Sequence, residues 1–305
     1  RGGSPRTAEV AEDGTVSWRE LWAETMDRLE AAGIAAASLE ARWIVEQASG
    51  LDGPELVPGL DDPATVRGVA HLDAMVARRL DGEPIQYVLG HWAFRHLDLL
   101  VDRRVLIPRP ETEQVVEVAL AACDRVLADR PDRHRPMVAD LGTGSGAIAL
   151  AIATERPRSR VWASDRSPDA LAVARANLAG LGMAGSSVQI VEGSWFEALP
   201  AALRGTLDLV VSNPPYIGVD EQLDPSVTDW EPIGALVAGP AGTEDHEQIV
   251  AGAAEWLAPA GALVLEIGHA QAVAVRSILE RHGFTEIAVH QDLAGLDRSV
   301  VGHRP

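Results

Sequence analysis

The residues best equipped to do chemistry are Asn213-Pro214-Pro215-Tyr216. Each proline lacks an N–H and fixes its own φ, and the first also restricts Asn213, so the tetrapeptide is stiff and its carbonyls point in set directions. It presents one carboxamide (Asn213), one free backbone carbonyl (Pro214) and one aromatic face (Tyr216), with Pro215 as a second stiffener. Two oxygen acceptors and a ring suit a planar group that carries an NH2, so the stretch reads as a clamp for an amide or an exocyclic amine. An Asn-Pro pair alone also marks a plain turn. Context favours the clamp: the apolar, β-branched run from Leu207 to Ser212, halted by two prolines, predicts a buried central strand, and ligands of open α/β sheets sit beyond the carboxyl ends of such strands.

A second chemistry-bearing stretch, Asp140-Leu141-Gly142-Thr143-Gly144-Ser145-Gly146, closes one predicted strand and opens a helix. Glycines there let the backbone turn sharply and let a ligand lie where a Cβ would clash. The spacing is Gly-x-Gly-x-Gly, without the extra residue of a dinucleotide fingerprint or the Gly-Lys-Ser/Thr of a phosphate loop. Asp165 ends the next predicted strand, where a carboxylate can accept both hydroxyls of a ribose; the other role open to it is to cap the helix that begins at Pro168. A nucleoside with no pyrophosphate to neutralise fits S-adenosylmethionine, whose sulfonium and amino groups also suit the carboxylate of Asp140. Trp195, after the third strand, can stack on the adenine for roughly 1 to 3 kcal/mol, or pack into the core beside Phe196.

The elements that must position these groups follow from periodicity. Ser17-Trp18-Arg19-Glu20 forms a capping box, and helical spacing continues through Leu21, Trp22, Met26 and Leu29. Further helical runs cover about 38–48 and 63–80, so residues 15–82 form a small all-α domain whose tryptophans belong to its core. From 83 to 111 the pattern turns to short strands (Ile85, Tyr87 and Leu89; Phe94 to Val101; Val105 to Ile107), a β-hairpin connector. Thr112 is placed to cap a helix over about 113–127. After Pro136 strands and helices alternate: strands over 137–141, 160–164, 187–192, 207–212 and 261–267, helices over 145–154, 168–181 and 270–282, and a final strand pair at 285–290 and 299–302. Such alternation predicts an α/β fold with a doubly wound, mostly parallel, Rossmann-like sheet over 112–305.

Composition narrows the partners. The chain has 45 acidic residues against 26 basic ones, all Arg, for a net charge of −19. Non-specific nucleic-acid affinity comes mostly from cations displacing counterions, so a nucleic-acid partner is not expected. No apolar run is long enough to span a membrane and no signal-peptide core is present, so a cytoplasmic protein is expected; a monomer is expected as well. The lone Cys123 lies in an apolar helical stretch and reads as inert, and the nine histidines show no metal-ligand spacing. Residues 1–14, rich in Gly, Ser, Pro and charge, are expected to form a disordered tail.

Together these motifs resemble the class I S-adenosylmethionine-dependent methyltransferases, and more narrowly the HemK/PrmC family of peptide chain release factor glutamine methyltransferases. Beside the loops above, Gln86-Tyr87-Val88-Leu89-Gly90, Leu106-Ile107-Pro108-Arg109-Pro110-Glu111-Thr112-Glu113, Trp195-Phe196, Glu231-Pro232 and Leu265-Glu266-Ile267-Gly268 carry the likeness over almost the whole chain. The resemblance implies a seven-stranded sheet, and a methyl transfer to the side-chain nitrogen of the glutamine in the Gly-Gly-Gln motif of class 1 release factors, leaving S-adenosylhomocysteine. It implies that Gly142 through Gly146, Asp165, Trp195 and Asn213 contact the cofactor and that Asn213 through Tyr216 hold the glutamine. Ser194 departs from the family pattern, which has Asp before the Trp-Phe pair; its hydroxyl can still accept from the adenine amino group. Two other functions fit the same motifs: methylation of a base amino group in nucleic acid, and nucleoside binding without catalysis. The acidic charge weighs against the first.

Overall fold

Ser17 starts the first helix as a capping box: its hydroxyl accepts the Glu20 N–H (3.3 Å) and the Glu20 carboxylate accepts the Ser17 N–H (2.8 Å). The computed structural model describes residues 15–129 and 135–305, which leaves the expected tail, 1–14, outside the described residues. The chain divides into two units, one ending at Gly90 and the other spanning His91–Pro305.

The first unit is helical: α1 Trp18–Ala31, α2 Ala37–Ser49, α3 Gly53–Gly59, α4 Val66–Leu80 and α5 Ile85–Leu89. Leu29, Ile44, Val45, Leu72 and Val76 are fully buried, the faces that helical spacing selects. Trp18 joins this core, whereas Trp22 and Trp43 are only half-buried. Gly68 admits Trp18, since a Cβ there would fall 2.6 Å from the indole. The strand expected through Ile85, Tyr87 and Leu89 is instead the short helix α5. Val88 is buried as well, so the run has no two-residue period; Pro84 opens the turn and Gly90, at φ +81°, closes it. Arg78 fixes the end of that helix by donating to the Tyr87 and Val88 carbonyls while it forks onto Glu83.

The second unit opens with a hairpin, β1 His91–Phe94 and β2 Leu97–Leu100, paired antiparallel. It continues with α6 Pro110–Asp129, β3 Met137–Leu141, α7 Ala147–Glu155, β4 Arg160–Asp165, α8 Pro168–Gly180, β5 Val188–Glu192, β6 Leu207–Ser212, β7 Ile217–Gly218, α9 Pro225–Thr228, β8 Val237–Gly239, α10 Glu244–Trp256, β9 Leu257–Glu266, α11 Ala272–Arg281, β10 Thr285–Gln291 and β11 Asp297–His303. The main sheet has the order β10-β11-β9-β6-β3-β4-β5, parallel from β9 to β5, with β11 antiparallel to both β9 and β10. This is the seven-stranded, mostly parallel sheet expected. From β3 the chain winds outward through β4 and β5 and then returns to place β6 on the other side of β3. The direction of winding reverses between β3 and β6, which makes their carboxyl ends the expected ligand crevice.

Two local expectations fail. Val105 to Ile107 form no strand, because the Ile107 N–H is taken by the Glu231 carboxylate (3.0 Å) and not by a neighbouring strand. Thr112 does not cap α6, which starts earlier, with Pro110 as its first residue and no N–H to satisfy. The helix α10 was not expected at all, although Ile249, Val250, Ala253 and Trp256 lie on one buried face. Cys123 is buried on α6, and burial pushes its thiol up to about 12, so it carries no thiolate.

Two observations on this frame generate tests. Asn177 on α8 accepts the Leu100 N–H (2.7 Å) and donates to the carbonyls of Leu100 (3.1 Å) and Ser145 (2.9 Å), tying the hairpin to the glycine loop. Asn177→Ala strands these groups and should cost about 1–3 kcal/mol by urea denaturation; an unchanged midpoint would make the tie dispensable. Asp140 at the end of β3 is fully buried, and burial raises its carboxyl to about 7 against the pull of the Thr143 hydroxyl and the Ala149 N–H. A raised carboxyl contributes stability below its unfolded pKa of about 4 and loses it as pH climbs through about 7. Melting temperatures taken from pH 4 to pH 7 should therefore favour Asp140→Asn progressively over the native chain, and a gap independent of pH would contradict the assignment.

Candidate functional site

The glycine loop leaves β3 by three left-handed glycines at alternate positions, Gly142, Gly144 and Gly146, at φ +73°, +56° and +87°. At Gly142 the requirement is also steric: a Cβ there would stand 3.2 Å from the Trp195 ring, so the indole lies directly against the peptide plane. Trp195 itself is held at φ +44°, a strained conformation for a bulky residue. The loop spends its donors internally. Gly142 and Thr143 donate to the Ser164 carbonyl (2.8 and 2.9 Å), Gly144 to the Asp165 carboxylate (2.9 Å) and Gly146 to the Thr143 carbonyl (2.8 Å). An anion-binding nest needs free N–H groups, so this loop is built for close approach and not for a pyrophosphate.

Asp165 is a bridge: one carboxylate oxygen accepts from Gly144 and the other from Ser167 (2.9 Å). The cap of α8 is the Ser167 hydroxyl, which accepts the Ala170 N–H, so Asp165 is not that cap. Asp140 lies behind the loop, where it accepts the Thr143 hydroxyl (2.6 Å) and the Ala149 N–H (3.1 Å). It has no exposed surface and does not line the cavity.

The cavity, of about 250 Å³, opens between the carboxyl ends of β3, β4 and β6. Of the residues singled out in the sequence, Gly142, Thr143, Gly144, Ser145, Asp165, Ser194, Trp195, Asn213 and Pro215 line it. Gly146, Pro214 and Tyr216 do not. Gly146 faces Leu150 and Ala174, Pro214 is buried, and Tyr216 is half-buried with its carbonyl held by the Gln271 amide (2.7 Å). Burial, reinforced by Glu266, pushes the Tyr216 phenol up to about 12, so it stays protonated. Among the described residues no His lines the cavity, and Asp165 is its sole carboxylate.

Several participants were invisible as site residues in the sequence. The segment 104–109 forms one wall, pinned by Glu231, whose buried carboxylate takes the Ile107 N–H and an ion pair with Arg109. Arg166, also on the wall, donates to the Gly234 carbonyl (3.2 Å). Thr112, which also lines the cavity, bonds Asn213 and is backed in turn by Glu266. These contacts join residues 68 to 154 positions apart, which no local spacing reveals; the clue available was the unusual density of proline and charge in 108–113 and 231–232.

Residues 20–90 match the PrmC N-terminal domain and residues 122–229 the methyltransferase small domain. The solved hMettl16 catalytic domain shares the fold at 13% identity, with a TM-score of 0.50 over 77% of this chain and 81% of that one. A release factor glutamine methyltransferase of Burkholderia pseudomallei is 43% identical over 88% of this chain and 92% of its own length. Its namesake in Cereibacter sphaeroides is 40% identical over 91% and 95%, and that of Agrobacterium fabrum 36% over 96% and 98%. Similar at 36 to 43% identity over 88 to 96% of its length to such relatives, the chain belongs to the release factor glutamine methyltransferase family.

Proposed function

We propose that this protein moves a methyl group from S-adenosylmethionine to the side-chain amide nitrogen of the glutamine in the Gly-Gly-Gln motif of class 1 peptide chain release factors. The observation that carries the proposal is that Asn213 and the glycine loop line one cavity at the reversal point of the sheet. The wall fits the cofactor. A carboxylate, Asp165, is available to a ribose, an indole lies against a glycine that has no room for a side chain, and the loop offers few free N–H groups to a phosphate. When bound, the cofactor supplies an electrophilic methyl on a sulfonium.

The chain's own residues bind and orient. An amide nitrogen is a poor nucleophile because its lone pair is delocalised into the carbonyl, and a protonated Tyr216 offers no base. The Asn213 side-chain oxygen on the wall and the carbonyl of buried Pro214, next to it in the chain, accept from the two N–H bonds of the glutamine, which aims the nitrogen lone pair at the methyl; one N–H proton leaves after the transfer. Tyr216, set off the wall, backs the amide from behind Pro215, Pro215 closes the wall, and Asp165 and Trp195 hold the nucleoside. Well-oriented reactants reach effective molarities on the order of 10⁵ to 10⁸ M, enough for positioning to carry most of the rate. A release-factor substrate places the reaction in the cytoplasm, where translation runs. The net charge of −19 weighs against a nucleic-acid substrate.

Mass spectrometry of the Gly-Gly-Gln peptide, after incubation of a class 1 release factor with enzyme and S-adenosylmethionine, should show a single added methyl on the glutamine. Label transferred to DNA or tRNA but not to the factor would reverse the proposal. Asn213→Ala should abolish transfer and leave calorimetric cofactor affinity within a few-fold of native; retained turnover would refute the clamp. Asp165→Ala should weaken cofactor binding at least tenfold, with an unchanged isotherm reducing it to a loop brace. At Ser194, which lines the cavity, Ser194→Asp should tighten cofactor binding about fivefold, since a charged acceptor makes a stronger hydrogen bond to an amino group than a hydroxyl does.

A further inference from the structure

Behind Asn213 lies a chain of two hydrogen bonds that its part in the clamp does not by itself require. The Thr112 hydroxyl donates to the Glu266 carboxylate (2.7 Å), and the Asn213 Nδ2 donates to the Thr112 oxygen (3.4 Å). Both partners are buried, Thr112 at 3% exposure and Glu266 at 1%; Thr112, on α6, also lines the cavity, and Glu266 ends β9, which flanks β6 on the side away from β3. A carboxamide has two ends of similar shape and opposite chemistry, and only its oxygen can accept from a substrate N–H. Which end faces the cavity is therefore the specificity of the clamp, and nothing in the stiffness of the prolines settles it.

The neighbours do settle it. A threonine has one hydroxyl proton, and an ionised carboxylate can only accept, so Glu266 takes that proton and leaves the Thr112 oxygen as an acceptor toward Asn213. We propose that Glu266 and Thr112 are positioning residues that lock the Asn213 carboxamide with its NH2 inward, presenting its oxygen to the substrate amide. The inference rests on the methyltransfer reading above and adds a second layer to it.

Proton balance gives the lock a direction. With Glu266 protonated, its O–H donates to Thr112, the Thr112 hydroxyl is free to donate to the Asn213 oxygen, and the amide turns its NH2 to the cavity, where two donors face each other. Burial raises the Glu266 carboxyl to about 7, which puts that reversal within reach. The other groups facing Glu266 are Arg298 on β11 and Arg109 before α6, which favour its ionised form, Glu111 on α6, which opposes it, the neutral Tyr216, and His246 on α10, whose Nε2 meets the Glu266 backbone carbonyl at 2.8 Å. The kcat of the native enzyme should accordingly fall as pH drops through about 7.

The test measures methylation of a purified class 1 release factor by the full chain. Thr112→Val keeps the shape and removes the hydroxyl; it should lower kcat at least tenfold while KM for the factor, calorimetric affinity for S-adenosylhomocysteine and melting temperature stay close to native. Thr112→Ser restores the hydroxyl and should recover at least a third of native kcat. Glu266→Gln cannot be protonated in this range, so its kcat should lose most of the acid limb. Native kcat in Thr112→Val, a loss that Ser does not rescue, a loss matched by lower cofactor affinity or melting temperature, or an acid limb in Glu266→Gln as deep as the native one would each overturn the lock; Asp140, also raised to about 7, accounts for a shallower remnant of it. If the native chain fails to methylate the factor, the function itself is refuted; if the native chain succeeds, Asn213→Ala is inactive and Thr112→Val is normal, the lock alone is.

Discussion

The Ser212 hydroxyl donates to the Leu141 carbonyl at 2.6 Å, and most of what the site can do depends on that pairing of neighbouring strands. Ser212 is the residue before Asn213, and Leu141 is the residue before Gly142. The bond therefore joins the last residue of β6 to the last residue of β3 in the same register that the parallel ladder sets, where Ser212 stands opposite Leu141. Beyond this point the two chains part, one into the glycine turn and the other into the prolines. The space between them is the cavity. Because β6 is buried along its whole length, the clamp cannot shift relative to the loop without moving the centre of the sheet.

What was legible in the sequence follows from how far each constraint reaches. The strands β3 and β6 could be read to the residue because an apolar run ends on local punctuation, glycine in one case and proline in the other. The helix α5 misled because all its apolar residues are buried, which erases period, and because the groups that finish it come from Arg78 on another helix. The same distinction holds within the site. Loop and clamp announce themselves by residue type at short spacing, whereas the contacts of Glu231 with Ile107, and of Thr112 with Glu266, join positions 124 and 154 apart. Fold brings those pairs together, so only fold reveals them. Asp140 shows the opposite error: its place in the motif suggests ligand contact, but its burial gives it the loop and not the cavity.

A common construction stands behind the two halves of the site. Asp140 accepts the hydroxyl of Thr143 at 2.6 Å and so braces the glycine loop; Glu266 accepts the hydroxyl of Thr112 at 2.7 Å and so braces Asn213. Each carboxyl has its pKa raised to about 7 by burial, and each reaches the cavity only through its threonine. Leucine or asparagine in either place would avoid the cost of burying an acid. A carboxylate has one property they lack: it can only accept, and therefore fixes the direction of every hydrogen bond that follows it.

Direction matters more here than strength because the chemistry asks for geometry and little else. Among the described residues no His lines the wall, Tyr216 is protonated, and the one carboxylate there, Asp165, is engaged by the Gly144 and Ser167 N–H groups, so the rate must come from holding a weak nucleophile in line. Such an arrangement tolerates almost no rotational freedom in the atoms that do the holding. Prolines remove it from the backbone of the clamp, left-handed glycines and a strained Trp195 remove it from the loop, and two buried acids remove it from the polar groups that the backbone cannot control. Conformational rigidity is thus distributed over three kinds of residue, each acting on the degree of freedom that the other two leave open, and the acids carry the part that changes with pH.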